Sequence, residues 1–260
     1  MRILAAVGVA MVMVGCGHQA RSAPVTSTPD QTVADAVNRV VATPVDPDPR
    51  VGAVFLAGSD LHACTGSVLH SAAGNLVLTA AHCLSPGAPA RFAPGFAREA
   101  TADDLWTVDA LYLDPRWLAN QDPLADYAIV RVSRPGGGSV EGLVGSALSL
   151  GTAPARNTPV TVVAYPAGVG GLPLGCQAST GLSEGGYPEL PCAGLVDGTS
   201  GAPWISGSTV TGVIGGLHGG GCAENLSYSS PFDQHVAKLY ARAQAGGPGD
   251  EPPSAYDDEC

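Results

Sequence analysis

The chain has 260 residues, enough for one large β domain or two small ones with real cores. Charged residues make up only 13% of it, and one Lys, Lys238, stands against a net charge of −11, so no basic stripe exists to neutralise phosphates and nucleic acid is excluded as a partner. With 35 Gly and 22 Pro, the composition favours many short strands joined by turns over long surface helices.

Arg2 gives a positive start, and Ile3 to Val14 form an uncharged apolar run too short to span a bilayer comfortably, which reads as an export signal over residues 1–15. The run ends in Met13-Val14-Gly15-Cys16, which resembles the bacterial lipobox, where a small residue precedes a cysteine that becomes lipidated. Cys16 is therefore expected to carry lipid and hold the protein on the outer face of the membrane; because Met13 stands where Leu is usual, ordinary cleavage and secretion stay open. Residues 16–50 are rich in Ala, Pro, Thr and Asp, with one helical patch in which Val33, Val37, Val40 and Val41 share a face, and read as a tether or pro-segment. From Val51 to about Ile214, apolar and small residues alternate with turn signals roughly every ten residues, the pattern of a β barrel or sandwich. Residues 231–243 read as a closing helix with Val236, Leu239 and Tyr240 on one face. Residues 244–260 read as an acidic flexible tail unable to bury enough apolar surface to fold alone.

Three segments carry chemistry. Leu78-Thr79-Ala80-Ala81-His82-Cys83 places a histidine just after a strand of small residues, where its ring can be held firmly as a general base. Leu124-Ala125-Asp126-Tyr127-Ala128-Ile129 puts a carboxylate at the mouth of a β-branched strand, a costly burial unless the group accepts hydrogen bonds, and Asp122 competes with it only as a turn residue ahead of Pro123. Asp197-Gly198-Thr199-Ser200-Gly201-Ala202-Pro203-Trp204 sets a serine between glycines that permit a tight turn, exposing the hydroxyl and aiming amides at a developing oxyanion.

Together these segments, in the order His, Asp, Ser, resemble the three motifs of the trypsin-like serine peptidases, and Val163-Ala164-Tyr165-Pro166-Ala167-Gly168 resembles a segment of bacterial relatives that include glutamyl endopeptidases. The resemblance runs from about Val51 to Tyr240. It implies an all-β, chymotrypsin-like fold of two antiparallel Greek-key barrels, about residues 51–150 and 151–221, with a short C-terminal helix. It also implies a triad of His82, Asp126 and Ser200, an oxyanion hole from the Gly198 and Ser200 amides, and a substrate-binding strand edge at Gly215 and Gly216. The expected activity is cleavage of protein or peptide substrates by a monomer that needs no cofactor. The rival is a non-catalytic binding protein on the same scaffold. His218 lies near where glutamyl-specific relatives carry a histidine for acidic side chains, although a loop histidine without that role is the simpler reading.

Besides Cys16 the chain has six cysteines, an even number that suggests disulfides in an exported protein, and none has the spacing of a zinc site, so no metal is expected. The resemblance implies a Cys64–Cys83 bond around the histidine loop. Cys176 with Cys192 is the next pairing, leaving Cys222 with Cys260; the alternative joins Cys192 to Cys222 and Cys176 to Cys260. Two departures from the family stand out: Thr199 where digestive relatives have an Asp that pairs with a newly cut N-terminus, and Gly215 where many have Ser. Activity is therefore expected to be independent of cutting at Arg50-Val51, with the Thr199 hydroxyl ordering the loop instead; the alternative is that Asp197, the one nearby acid, pairs with the new N-terminus.

Overall fold

The computed structural model describes residues 40–256. The expected export signal, the Cys16 lipid site, most of the tether and Cys260 lie outside these residues.

The chain enters on a two-residue strand, β1 (Thr43–Pro44), and then builds β2 (Val51–Leu56), β3 (His62–Leu69), β4 (Leu76–Thr79), β5 (Ala90–Pro94), β6 (Trp106–Leu113) and β7 (Ala128–Ser133). Strands β2 to β7 close a barrel in the order β2-β3-β4-β7-β6-β5, every neighbour antiparallel. The apolar run that leads into the histidine motif explains the closure locally: all four residues of β4 are buried, because it is central and faces packed side chains on both surfaces.

The second half carries β8 (Ser149–Leu150), β9 (Pro159–Ala164), β10 (Leu174–Ser179), β11 (Gly181–Leu182), β12 (Pro188–Leu190), β13 (Pro203–Ser206), β14 (Thr209–Val213) and β15 (Ser227–Tyr228). They form a six-stranded sheet, β1-β10-β9-β13-β14-β8, and a three-stranded one, β11-β12-β15. The mostly β, chymotrypsin-like architecture is thus present, with one closed barrel and a second half of two sheets. One apolar cluster joins the halves: Leu78, Tyr127 and Ile129 of the first pack with Val163, Tyr165 and Val213 of the second. That shared core fixes one half against the other.

Among the described residues three short α-helices complete the fold, each begun by a side-chain cap. They are α1 (Pro115–Asn120) capped by Asp114, α2 (Val140–Val144) capped by Ser139, and α3 (Gln234–Ala245) capped by Asp233. Helix α3 buries Val236, Leu239 and Ala243, and begins three residues later than the pattern alone indicates because Asp233 caps it.

Both ends of the described chain differ from their expectation as spacers. Residues 40–50 are part of the fold: β1 pairs with β10, Val41 bridges Ala193, and the Arg50 carbonyl accepts from the Val68 amide. The physical reason is an open edge on β10, which a short extended segment satisfies without any core of its own. The acidic tail does the same on the first barrel. Strand β5 pairs with β6 only where Arg91 and Phe92 meet Thr107 and Trp106, and the tail takes up the edge beyond. There the Asp250 amide donates to the Leu111 carbonyl at 2.7 Å and its carboxylate accepts from the Leu113 amide at 2.8 Å.

Candidate active site

His82 follows β4 through the buried Ala80 and Ala81, whose small side chains let the loop turn in tightly. A disulfide from Cys83 to Cys64 on β3, with Cα atoms 6.2 Å apart, fixes the loop to the barrel wall. Asp126 ends a 3-10 turn over Pro123–Ala125 and is wholly buried. Its Oδ2 lies 2.7 Å from His82 Nδ1, and its Oδ1 accepts from the His82 amide at 2.9 Å. Since a carboxylate only accepts, Nδ1 carries the proton and Nε2 is left as a base. Burial alone pushes the Asp126 carboxyl up, yet the His82 charge and ring, with the amides of Gly216 and His82, outweigh it and hold the group below the usual carboxylate range.

Ser200 sits on a tight turn that hangs from the second half and rests on the first. Within the turn, Thr199 donates by its amide and its hydroxyl to the Val196 carbonyl, and Gly201 donates to Ile214. The amides of Gly198 and Ser200 find no acceptor among the described residues. Gly198 and Gly201 both have positive φ, and a Cβ there would come within 2.0 Å of the Ala167 nitrogen and 2.2 Å of the Thr65 carbonyl oxygen. Only glycine fits at either place.

Thr65 has a role that its letter did not announce. Its amide donates to the Ser200 carbonyl at 2.8 Å, its hydroxyl donates to the Gly198 carbonyl at 3.1 Å and accepts from Tyr165 N–H at 2.9 Å, and its carbonyl accepts from the Thr79 hydroxyl. One buried residue of β3 therefore ties the serine loop to the barrel that carries His82 and Asp126. His82, with its side chain 14% exposed, lines one cavity of about 280 Å³ together with Ser200, Asp197, Leu195, His218 and Glu224.

The structure brings His82 and Asp126 into direct contact and sets Ser200 on the same cavity. It places the strand-edge residues differently. The chain leaves β14 at Val213 and turns at Gly216 into a 3-10 segment over Leu217–Gly220. Gly216 donates to Asp126 Oδ2 at 2.7 Å, so its N–H is engaged inside the protein and does not extend the expected edge, and its carbonyl accepts from the Gly219 amide. A Cβ on Gly215 would stand 3.0 Å from Asp126 Oδ2. The amide of Gly216 thus makes the contact to the carboxylate for which Gly215 has no side chain. His218, exposed and with φ of 50°, lines the same cavity as Asp197 and Glu224.

Cys176 bonds Cys192 in the second half, and Cys222 is disulfide-bonded as well. The alternative pairing of Cys192 with Cys222 is not the one adopted. Among the described residues, one grouping of metal-type side chains exists, Cys64, His82 and Cys83, and two of its three sulfur and nitrogen donors are the sulfurs already bonded to each other.

The family model described as a trypsin-like peptidase domain matches residues 64–215, which takes in all three motifs. The chain belongs to the trypsin-like peptidase family. Membership makes it a serine endopeptidase by class. This trypsin-like peptidase is similar in structure to the protease Anisep from Arthrobacter nicotinovorans, at 25% identity and a TM-score of 0.68 over 79% of this chain and 100% of that one. A Glu endopeptidase shares the fold at 16% identity and a TM-score of 0.63, over 80% of this chain and 99% of that one. So does human heparin binding protein, at 14% identity and a TM-score of 0.63, over 81% and 99%. No curated protein matches the chain by sequence.

Proposed function

We propose that this peptidase hydrolyses peptide bonds of proteins through His82, Asp126 and Ser200 and an acyl-enzyme. The observation that carries the reading is the buried Asp126 carboxylate held 2.7 Å from His82 Nδ1, with the imidazole lining the same cavity as Ser200. His82 Nε2 takes the Ser200 proton as the hydroxyl attacks the peptide carbonyl, and Asp126 stabilises the imidazolium that forms. The Gly198 and Ser200 amides receive the oxyanion, and water, activated by the same imidazole, releases the acyl group.

The test is labelling with a fluorophosphonate, which should attach to Ser200 and fail on Ser200→Ala. That variant should also lose peptide hydrolysis by about 10⁶-fold. A Ser200→Ala protein keeping a tenth of the activity, or a native protein inert to the probe, would favour a binding protein on this scaffold, since the fold alone does not fix function.

Recognition of an acidic side chain by His218 is the weaker part of the reading. Asp197 and Glu224 share its cavity, and their charges oppose an incoming carboxylate. Export fits the disulfides; a lipid at Cys16 would hold the enzyme at the membrane surface, and Cys16→Ser should then release it to the medium.

A further inference from the structure

The C-terminal segment is bound to the protein at several points. Beyond α3 the Gly247 carbonyl accepts from the Tyr112 hydroxyl, Asp250 pairs with Arg242 and with the β6 edge, and Pro252 is buried. The Ser254 carbonyl then accepts from the Gln121 side chain at 2.9 Å, just past the end of α1. These ties lead the chain from the β6 edge to the end of α1. Tyr256 arrives there with its ring centroid 5.2 Å from that of Trp117 and 5.8 Å from that of His82, tilted 36° to the imidazole.

This contact is not what an acidic, Pro-rich tail makes by default. Such a segment gains little by burying itself, while an aromatic ring gains both area and favourable ring geometry against Trp and His. Trp117 is almost wholly buried, part of the barrel's own core, so it offers a fixed surface. The imidazole beside it is the one the proposed mechanism uses as base.

We propose that the surface formed by the Trp117 ring and the His82 imidazole is a binding site for an aromatic side chain, and that the protein's own C-terminal segment occupies it through Tyr256 in competition with substrate. This rests on the serine peptidase reading and deepens it. It assigns the substrate class as peptides with an aromatic residue near the cut, and makes the tail a resident competitor. Glu251 of the tail is acidic, as are Asp197 and Glu224 of the cavity, so the hold is not built on charge attraction to them. The aromatic contact and the ties upstream of it carry the binding.

The experiment compares three proteins on one fluorogenic peptide and on the fluorophosphonate: the full chain, Tyr256→Ala, and a chain ending at Pro253 with Cys222→Ser to avoid a lone thiol. A segment that occupies this surface nine-tenths of the time lowers apparent activity about tenfold, so both altered chains should show kcat/KM raised by about that factor, chiefly through KM. A synthetic Glu-Pro-Pro-Ser-Ala-Tyr-Asp-Asp should then inhibit the shortened enzyme competitively, and the same peptide with Ala for Tyr should not. Labelling of all three proteins at one rate, with unchanged or lowered kcat/KM, would overturn the proposal and leave the peptidase reading standing. Equal inhibition by both peptides would also overturn it. Failure of every protein to label would overturn the peptidase reading and the proposal with it.

Discussion

Asp126 receives hydrogen bonds from the His82 ring, the His82 amide and the Gly216 amide, and its own amide donates to the Ser230 hydroxyl. Replacing it by Asn keeps the shape but places an amide N–H2 group against the ring, which favours the wrong imidazole tautomer. Asp126→Asn should lower kcat by about 10⁴ with little change in fold, checked by kinetics beside circular dichroism. Thr65→Val is the second case. It removes the hydroxyl that joins Gly198 to Tyr165 and leaves two buried backbone groups unpaired, at a cost of about 1–3 kcal/mol for each. Thermal unfolding should report that loss, and kcat should fall more than KM rises, because the serine loop loses its seat. His82, Asp126 and Ser200 were legible because each stands in a run of letters whose chemistry is specific. Thr65 and the Gly216 amide were not, since a backbone contact across many residues has no letter of its own.

At the scale of elements, the strands with runs of buried apolar residues were readable and the two-residue ones were not. Strands β4 and β7 announce themselves by Leu76 to Thr79 and Ala128 to Val132. Strand β1 is Thr-Pro, and becomes a strand only because β10 offers it an edge. The tail is the same case, and neither pairing leaves a periodic signal. The fold's hold on residues 40–50 bears on activation. Arg50 is locked to Asp48 by its side chain and to Val68 by its carbonyl, and Thr199 carries no charge to receive a freed ammonium. Arg50→Gln should therefore leave kcat/KM within about twofold of the native value, measured on the same peptide. The Cys64–Cys83 bond should matter far more. Replacing both cysteines by Ala removes the staple of the His82 loop, and a loop of this size is worth about 3 kcal/mol of unfolding free energy. Denaturant titration of that variant would read the loss directly.

For the whole molecule, three buried or half-buried carboxylates set the response to acid. Burial raises each of Asp48, Asp114 and Asp126, but Arg50, Arg116 with Tyr127, and His82 respectively outweigh it and hold all three below the usual range. A depressed carboxylate lends stability that is complete above its unfolded value of about 4 and is lost as pH falls through the folded value. The melting temperature should thus be level near neutral pH and drop steeply below about pH 4. Asp114→Asn should melt lower at neutral pH yet lose less on acidification, as scanning calorimetry would show; a parallel acid limb would mean that Asp114 contributes nothing to it. The division of labour between the halves has a consequence for the protein's own survival. On the proposed mechanism Ser200 comes from one half and the imidazole and carboxylate from the other, so a molecule that comes apart is at once a digestible chain and a dead enzyme. Self-digestion then needs one intact attacker and one opened victim. Its rate goes as the product of the two populations, greatest at the unfolding midpoint and small on either side. A sample warmed quickly through that midpoint should outlast one held there, even though the second never becomes as hot.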